Sequence, residues 1–201
     1  MKPFEEKKFN IGKLKGISEK TIEEHLKLYA GYVKNTNAIL EKIPEYQTWA
    51  EKDPFVNYFT AELQRRFGFE YDGMRNHEIY FDSLSDGFKE ISQNSELYKS
   101  IVYLWGSFEK WLTLFKSISL SRGIGWAILY FDKKEMRLLN AYVEDHQLGQ
   151  LVGCTPILVL DMWEHAFVSD YQLSGKKQYV DDYFENINWS KVEDNLSQAL
   201  K

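Results

Sequence analysis

The chain has 201 residues, a formal net charge of -5 and a single cysteine, Cys154. This length allows one compact unit or two small domains that share an interface. The negative charge and the lack of a Lys/Arg block argue against nucleic acid as a partner, and one cysteine excludes an internal disulfide. A charged N-terminus and the lack of a stretch of membrane-spanning length predict a cytoplasmic protein with no membrane segment.

The first half of the sequence predicts two long helices. Residues 1–16 show no period and predict an extended arm. From Ser18, which can cap a helix, apolar residues recur at spacings of three and four, and this pattern predicts an amphipathic helix that is broken at Pro44. A second helical pattern covers residues 54–84. Two long helices joined by a short connection predict an antiparallel hairpin.

The second half changes from helical patterns to strand patterns and back. Serines open two short helices, and apolar segments bounded by turn residues then predict a β-hairpin and a third strand. In chain order, the predicted elements are helices at 95–105 and 107–119, strands at 126–131, 136–143 and 157–160, and helices at 176–184 and after 190.

These patterns predict an α+β fold with two domains. Residues 1–88 would form an N-terminal antiparallel helical hairpin domain. Residues 89–201 would form a C-terminal α/β domain with a small three-stranded antiparallel sheet.

An uncharged apolar run ends at Asp161, and His165 follows four residues later. If a helix begins at Asp161, the two side chains share one helix face, and they form half of a metal site. In isolation, such a pair is more often a capping aspartate and a hydrogen-bonded histidine. However, His25 and His77 lie on the apolar faces of the two predicted long helices, so three separate helices would supply three imidazoles and one carboxylate.

A donor set of imidazole and carboxylate without thiolate suits iron or manganese with an open coordination position. Zinc-dependent hydrolysis is the competing interpretation. It is disfavoured because the chain contains no H-E-x-x-H helix, and no general base is evident beside the candidate ligands.

Three motifs resemble the iron/manganese superoxide dismutases, and the resemblance runs from about residue 17 to the C-terminus. They are D-M-W-E-H-A-F at 161–167, N-I-N-W at 186–189 and G-I-G-W-A at 123–127. The resemblance implies disproportionation of superoxide at one iron or manganese ion per subunit, in a homodimer. Its implied metal ligands are His25, His77, Asp161 and His165. The alternative is a catalytically impaired, metal-binding relative that acts as an interaction or structural protein.

The same resemblance assigns roles around the metal. Tyr32 matches the family's gateway tyrosine, and Trp126 and Trp163 match its aromatic wall. Phe81 stands where a tryptophan is more common. Glu164 matches a glutamate that reaches the metal-binding histidine of the partner subunit.

In the family, a polar side chain holds the metal-bound water. It comes either from a helix glutamine four residues before the second histidine or from the hairpin. The helix position is Gly73 in this chain, which leaves that role to His146 after the predicted hairpin. We therefore expect His146 to hydrogen-bond the metal-bound solvent, with Gly73 leaving room for its imidazole.

The sequence departs from the family pattern in the first helix. The spacing from histidine to tyrosine is one residue shorter than in many members, so alignment on Tyr32 would place Glu24 at the ligand position. We favour His25, because a regular helix without a one-residue bulge would still point both His25 and Tyr32 inward.

Two further family positions are changed. A histidine that follows the first ligand is replaced by Leu28 or Tyr29, and its tyrosine partner across the subunit interface is replaced by Val168. The arginine usual in the substrate funnel has no clear match, so Lys176 or Lys177 is predicted to guide the anionic substrate.

Overall fold

The computed structural model describes residues 2–50 and 53–201 of the chain. Its helices and strands follow the predicted order and confirm the α+β fold. They are α1 Glu19–Ala50, α2 Pro54–Ser83, α3 Glu96–Trp105, α4 Phe108–Ser119, β1 Gly125–Asp132, β2 Arg137–Glu144, β3 Cys154–Asp161, α5 Val168–Tyr171, α6 Lys176–Asn186 and α7 Trp189–Leu200.

Helices α1 and α2 pack as the predicted hairpin. Ser18 caps α1 through its hydroxyl oxygen, which accepts a hydrogen bond from the Thr21 N–H at 3.2 Å. Asp53 caps α2 in the same way, since its carboxylate accepts from the Phe55 N–H at 2.9 Å.

The predicted break at Pro44 is wrong, because α1 continues through this residue to Ala50. A proline inside a helix leaves the carbonyl four residues earlier without its N–H partner. Pro44 is exposed, so water can hydrogen-bond to that carbonyl. Beyond the proline, the Tyr46 and Trp49 rings pack against each other with 5.4 Å between ring centres, and both line an apolar pocket with Val56 of α2.

The N-terminal arm lies along the hairpin as an extended segment, as predicted, with Met1 outside the described residues. The backbone N–H of Lys7 donates to the Tyr29 hydroxyl at 2.9 Å. The Phe9 ring packs 5.8 Å from Tyr29 and 5.4 Å from Phe81, measured between ring centres. The arm therefore covers the surface of the hairpin behind the inward-facing residues.

Serine caps begin α3 and α4, as their sequences predict. The Ser95 hydroxyl accepts from the Tyr98 N–H at 3.1 Å, and the Ser107 hydroxyl accepts from the Lys110 N–H at 3.2 Å. Gly106 separates the two helices with a positive φ of 85°, a conformation that glycine adopts without steric cost.

The three strands form one antiparallel sheet in the order β2-β1-β3. Strand β1 is central and almost wholly buried, which explains its uninterrupted apolar sequence. In the register of this sheet, Trp126 of β1 pairs with Val143 of β2 on one side and with Asp161 of β3 on the other.

The predicted helix start at Asp161 is wrong, because Asp161 is the last residue of β3. Pairing with the central strand continues to this point, and the Met162 N–H donates to the Gly125 carbonyl at 2.9 Å. A short 3₁₀ turn, Glu164–Ala166, follows, and then the four-residue helix α5, which the sequence did not predict. His165 therefore comes from a turn, and the four candidate ligands come from two helices, a strand end and that turn.

One apolar core joins the hairpin to the sheet and the last helices. It contains Met74 and Phe81 of α2 together with Leu158 and Leu160 of β3, all fully buried. The division into domains at residue 88 remains a prediction. Among the described residues, none of the helices combines the length and apolarity that crossing a membrane requires.

Gly125 begins the central strand with a φ of 148°, and a Cβ atom there would lie 2.1 Å from the Val143 carbonyl oxygen. We expect Gly125→Ala to lower the free energy of unfolding by about 2 to 4 kcal/mol, through backbone strain and this clash. Gly31 of α1 has no such neighbour within 4 Å, so Gly31→Ala is the control and should raise stability slightly. Chemical denaturation measures both, and equal stabilities for the two variants would contradict the expectation.

Candidate metal centre

The hairpin and the sheet bring together the four residues that the sequence singles out as ligands. His25, His77, Asp161 and His165 each offer one donor atom, and these atoms all lie within 4.8 Å of one another. The first three residues are buried, and the His165 side chain is 22% exposed. The cluster therefore lies at the contact between the two halves of the chain, with one ligand near the surface.

All three imidazoles face the same carboxylate oxygen. The Nε2 atoms of His25, His165 and His77 lie 3.1, 3.2 and 3.7 Å from Asp161 Oδ2. Neighbouring ligands of one metal with bonds of about 2.1 Å are expected about 3.0 to 3.6 Å apart. The His25 and His165 distances fall within this range and the His77 distance of 3.7 Å lies just above it, so the spacing is close to that of donor atoms around a single ion.

The hydrogen bonds leave the right atoms free for metal binding. His77 Nδ1 lies 2.6 Å from the Gly73 carbonyl oxygen, which can only accept, so this nitrogen carries the proton. His77 Nε2 is then an unprotonated donor atom, buried and without a hydrogen-bond partner among the described residues. The second carboxylate oxygen of Asp161 is held by the Trp163 N–H at 2.7 Å.

Electrostatics favour the protonation states that a metal needs. Burial lowers the pKa values of His25 and His77, which keeps both imidazoles neutral. Burial alone would raise the pKa of Asp161, but its contacts with the neighbouring imidazoles of His165 and His25 outweigh burial and hold this pKa well below its usual value. Neutral imidazoles and an ionised carboxylate are the metal-binding forms of these side chains.

The structure decides between the two first-helix registers. Glu24 is exposed and forms an ion pair with Lys27 at 2.7 Å, on the outer side of α1. His25 and Tyr32 both reach the interior from the same helix. The preferred choice of His25 is therefore supported, and Glu24 has no access to the cluster.

His146 stands beside the cluster with both ring nitrogens engaged. The indole N–H of Trp126 donates to Nδ1 at 2.9 Å, and Nε2 lies 2.8 Å from the Tyr32 hydroxyl. Because an indole N–H can only donate, Nδ1 must be unprotonated, and the neutral ring carries its proton on Nε2. His146 therefore donates to the oxygen of Tyr32, and the hydroxyl hydrogen of Tyr32 is free to point elsewhere.

This arrangement differs from the simple expectation for His146. A direct hydrogen bond to a metal-bound solvent would have to share the Nε2–H with Tyr32, so Tyr32 is the immediate partner of His146. Burial, with a contribution from the charge of Asp161, raises the pKa of Tyr32 and keeps its hydroxyl protonated. The backbone carbonyl of His146 is itself held by the amides of Asn76 and Gln150, at 3.4 and 2.9 Å.

The expected reason for a glycine at position 73 is corrected. A Cβ atom at Gly73 would lie 2.9 Å from Cδ1 of Tyr32, and its three nearest atoms all belong to the Tyr32 ring. The glycine thus makes room for the Tyr32 ring, and the imidazole of His146 contacts the hydroxyl group at the other end of that side chain.

Aromatic rings surround the donor set, as predicted. Trp163 stacks on His146 with 4.7 Å between ring centres, and Trp126 meets His77 edge to face at 4.9 Å. The Phe81 ring lies 4.8 Å from His25. These rings leave little space for bulk water next to the ligands.

Phe69 was missed by the sequence analysis. Its ring lies 4.4 Å from that of His146 and 6.1 Å from that of Tyr32. The available signal was its spacing, since residues 69, 73 and 77 recur every four positions along α2 and share one helix face.

The proposed partner-facing and substrate-guiding residues lie near the surface. Glu164 is exposed in the single chain, beside the partly exposed His165. The Lys176 ammonium group donates to the Ser121 carbonyl at 2.9 Å, and burial lowers its pKa. Lys177 is exposed.

Comparison with known proteins gives two kinds of match. A sequence model described as "Iron/manganese superoxide dismutases, C-terminal domain" matches residues 93–195. A superoxide dismutase [Fe] of Cupriavidus metallidurans is 35% identical over 193 residues, which cover 94% of this chain and 93% of that relative. The chain belongs to the iron/manganese superoxide dismutase family.

Other relatives in this family are named for different metals. A superoxide dismutase [Mn/Fe] of Aeropyrum pernix is 33% identical and covers 88% of this chain and 80% of its own length. A superoxide dismutase [Mn] of Nocardia asteroides is 31% identical, with 88% and 82% coverage. In this chain, three histidines and one aspartate form the mononuclear iron or manganese site of the family.

In the metal-free protein, acid should reduce stability through His146. Burial lowers its pKa from 6.5 to about 4, so the unfolded chain binds the proton first as the pH falls between these values. We expect a loss of about 2 kcal/mol in the free energy of unfolding between about pH 7.5 and pH 5 from this group. His146→Gln, which does not ionise, should lose less over the same range in urea unfolding. Equal losses in the two proteins would contradict the assignment.

Proposed function

We propose that this protein is a superoxide dismutase, which converts two superoxide anions and two protons into oxygen and hydrogen peroxide. The observation that carries the proposal is the convergence of three histidine Nε2 atoms on Asp161 Oδ2, in a chain that belongs to this family. When bound, an iron or manganese ion supplies the one-electron oxidation and reduction that the two half-reactions need.

The protein holds this ion through His25, His77, Asp161 and His165. Their donor atoms lie within 4.8 Å of one another, and the burial of the site is unequal on its two sides. One side is closed by the core of the hairpin, and the other reaches the partly exposed His165. Within the described residues, a small anion therefore has access from that outer side.

Tyr32 and His146 are the residues that we propose handle protons. The Nε2–H of His146 donates to the Tyr32 oxygen, which leaves the phenolic hydrogen available to a group at the outer side of the ligands. A proton that Tyr32 delivers to the peroxide product is replaced from solvent, and the Nε2–H of His146 stabilises the phenolate oxygen until then. The Trp126 indole fixes the tautomer of His146 that this hydrogen bond requires.

Trp126, Trp163 and Phe81 are proposed to exclude bulk water and to hold the ligands in position. Their rings contact His77, His146 and His25, so each fixes one imidazole plane. Relatives named for iron, for manganese and for both are similar to this chain. We therefore propose that the groups around the ligands, among them His146 and Gly73, set the metal preference.

The direct test is to load the metal-free protein separately with iron and with manganese, then measure metal content and superoxide consumption. We expect one ion per chain and activity in at least one form. His25→Ala should lose metal and activity together, because it removes a ligand. Glu24→Ala changes the adjacent exposed residue and should retain both, which makes it the matched control.

Two results would contradict the proposal. Metal loss in Glu24→Ala without metal loss in His25→Ala would show that the ligand assignment is wrong. A protein that retains one ion per chain yet consumes no superoxide with either metal would establish the alternative, a metal-binding relative without the activity.

We also propose a homodimer, in which Glu164 contacts His165 of a second copy. Support comes from the exposure of Glu164 next to a ligand whose side chain is 22% exposed, since a partner carboxylate could then orient that imidazole. Glu164→Ala should weaken self-association and also metal retention. Sedimentation and metal analysis measure the two effects, and a fully active monomeric variant would show that the metal site does not depend on the dimer.

A cytoplasmic location remains a prediction from the sequence.

A further inference from the structure

A cation stands at the outer edge of the metal centre, on helix α2. The guanidinium carbon of Arg66 lies 3.4 Å from the centre of the Phe69 ring. That ring in turn contacts the rings of His146 and Tyr32, with centre-to-centre distances of 4.4 and 6.1 Å. A single aromatic ring therefore separates this positive charge from the two residues proposed to handle protons.

This edge is the side on which the single chain opens to solvent. Tyr32, Phe69, Trp163 and His165 are all partly exposed. Their rings follow one another with centre distances of 6.1, 6.4 and 5.9 Å, so they form a continuous rim. A small anion that reaches the ligands from solvent passes this rim.

The charges at the rim are arranged with the positive end outward. Arg66 Nε lies 3.6 Å from Glu70 Oε1, but the Arg66 side chain is 46% exposed and the Glu70 side chain only 10%. The Asn35 amide donates to the other Glu70 oxygen at 3.2 Å and so helps to hold the carboxylate inside. An approaching anion meets the guanidinium first.

The ion pair of Arg66 with Glu70 leaves most of its N–H groups free. Within the described parts of the chain, its terminal nitrogens make no hydrogen bond, so their N–H groups remain available to an anion. The neighbouring Arg65 differs, because its Nε and Nη2 both donate to Glu62, at 2.7 and 2.5 Å. Lys176 also differs, since its ammonium group donates to the Ser121 carbonyl.

We propose that Arg66 steers superoxide into the metal centre, its free guanidinium N–H groups drawing the anion to the rim at Tyr32 and Phe69. The inference rests on the proposed dismutase activity and names the residue that guides its substrate, in place of the lysines predicted from the sequence. One unit charge close to a site changes the association rate of a small anion by about two- to threefold at low ionic strength, and salt removes the effect.

The test compares four metal-loaded proteins: wild type, Arg66→Gln, Arg66→Lys and Arg65→Gln. We expect Arg66→Gln to lower the second-order rate constant with superoxide about two- to threefold in about 10 mM salt and to match wild type in about 500 mM salt. Arg66→Lys keeps the charge and should retain most of the rate. Arg65→Gln removes the same charge from the adjacent residue, and it should stay close to wild type.

A second measurement does not depend on turnover. Azide is a small monovalent anion, and its affinity for the metal-loaded proteins can be titrated through the absorption spectrum. We expect the dissociation constant to rise about two- to threefold in Arg66→Gln at low salt and to change little in Arg65→Gln.

The outcomes separate the proposal from its alternatives. Equal superoxide rates and equal azide affinities in Arg66→Gln and Arg65→Gln would overturn it. A rate loss that persists in high salt and in Arg66→Lys would also overturn it, since the role of Arg66 would then be to pack on Phe69. If wild type fails to consume superoxide but its azide affinity depends on Arg66, the proposed function fails while the anion-attracting role of Arg66 stands.

Discussion

The structure depends on one buried carboxylate, that of Asp161. A fully buried charge is costly unless it is paired and hydrogen-bonded, and here one oxygen faces three imidazoles while the other accepts a backbone N–H. Asp161 is placed by the pairing of β3 with the central strand. The packing of the helical hairpin then places His25 and His77 beside Asp161. The geometry of the site therefore depends on both the sheet register and the hairpin packing.

Around Asp161, two groups that do not change protonation state determine which ring nitrogens of the neighbouring histidines carry a proton. The Trp126 indole donates to His146, the Gly73 carbonyl accepts from His77, and neither can reverse its role. Each therefore fixes which nitrogen of a histidine carries hydrogen. The resulting direction of hydrogen bonds, from His146 to Tyr32, is a property of the fold and is present before any ion or substrate binds.

Sequence periodicity predicted the hairpin, the serine caps and the sheet, because these features follow from local pattern and from the apolar character of a buried central strand. It failed at Pro44, where α1 continues through an exposed proline, and at Asp161, where strand pairing continues to the ligand. The four ligands followed from residue types together with family motifs. Local patterns do not encode how α1, α2 and the turn after β2 pack together. This packing determines the contacts of Phe69, the position of Tyr32 against Gly73 and the exposure of Arg66.

The ligands lie far apart along the chain, and the hydrogen-bonded pair of His25 and Asp161 is separated by 136 residues. A bound ion would therefore act as a cross-link that joins the two ends of a very long loop. Formation of the apolar core already includes the entropy cost of closing that loop. The folded chain therefore has a preformed site that the unfolded chain lacks. Ion binding would then pull the folding equilibrium toward the native state in proportion to the logarithm of ion concentration, and global unfolding would require the ion to leave.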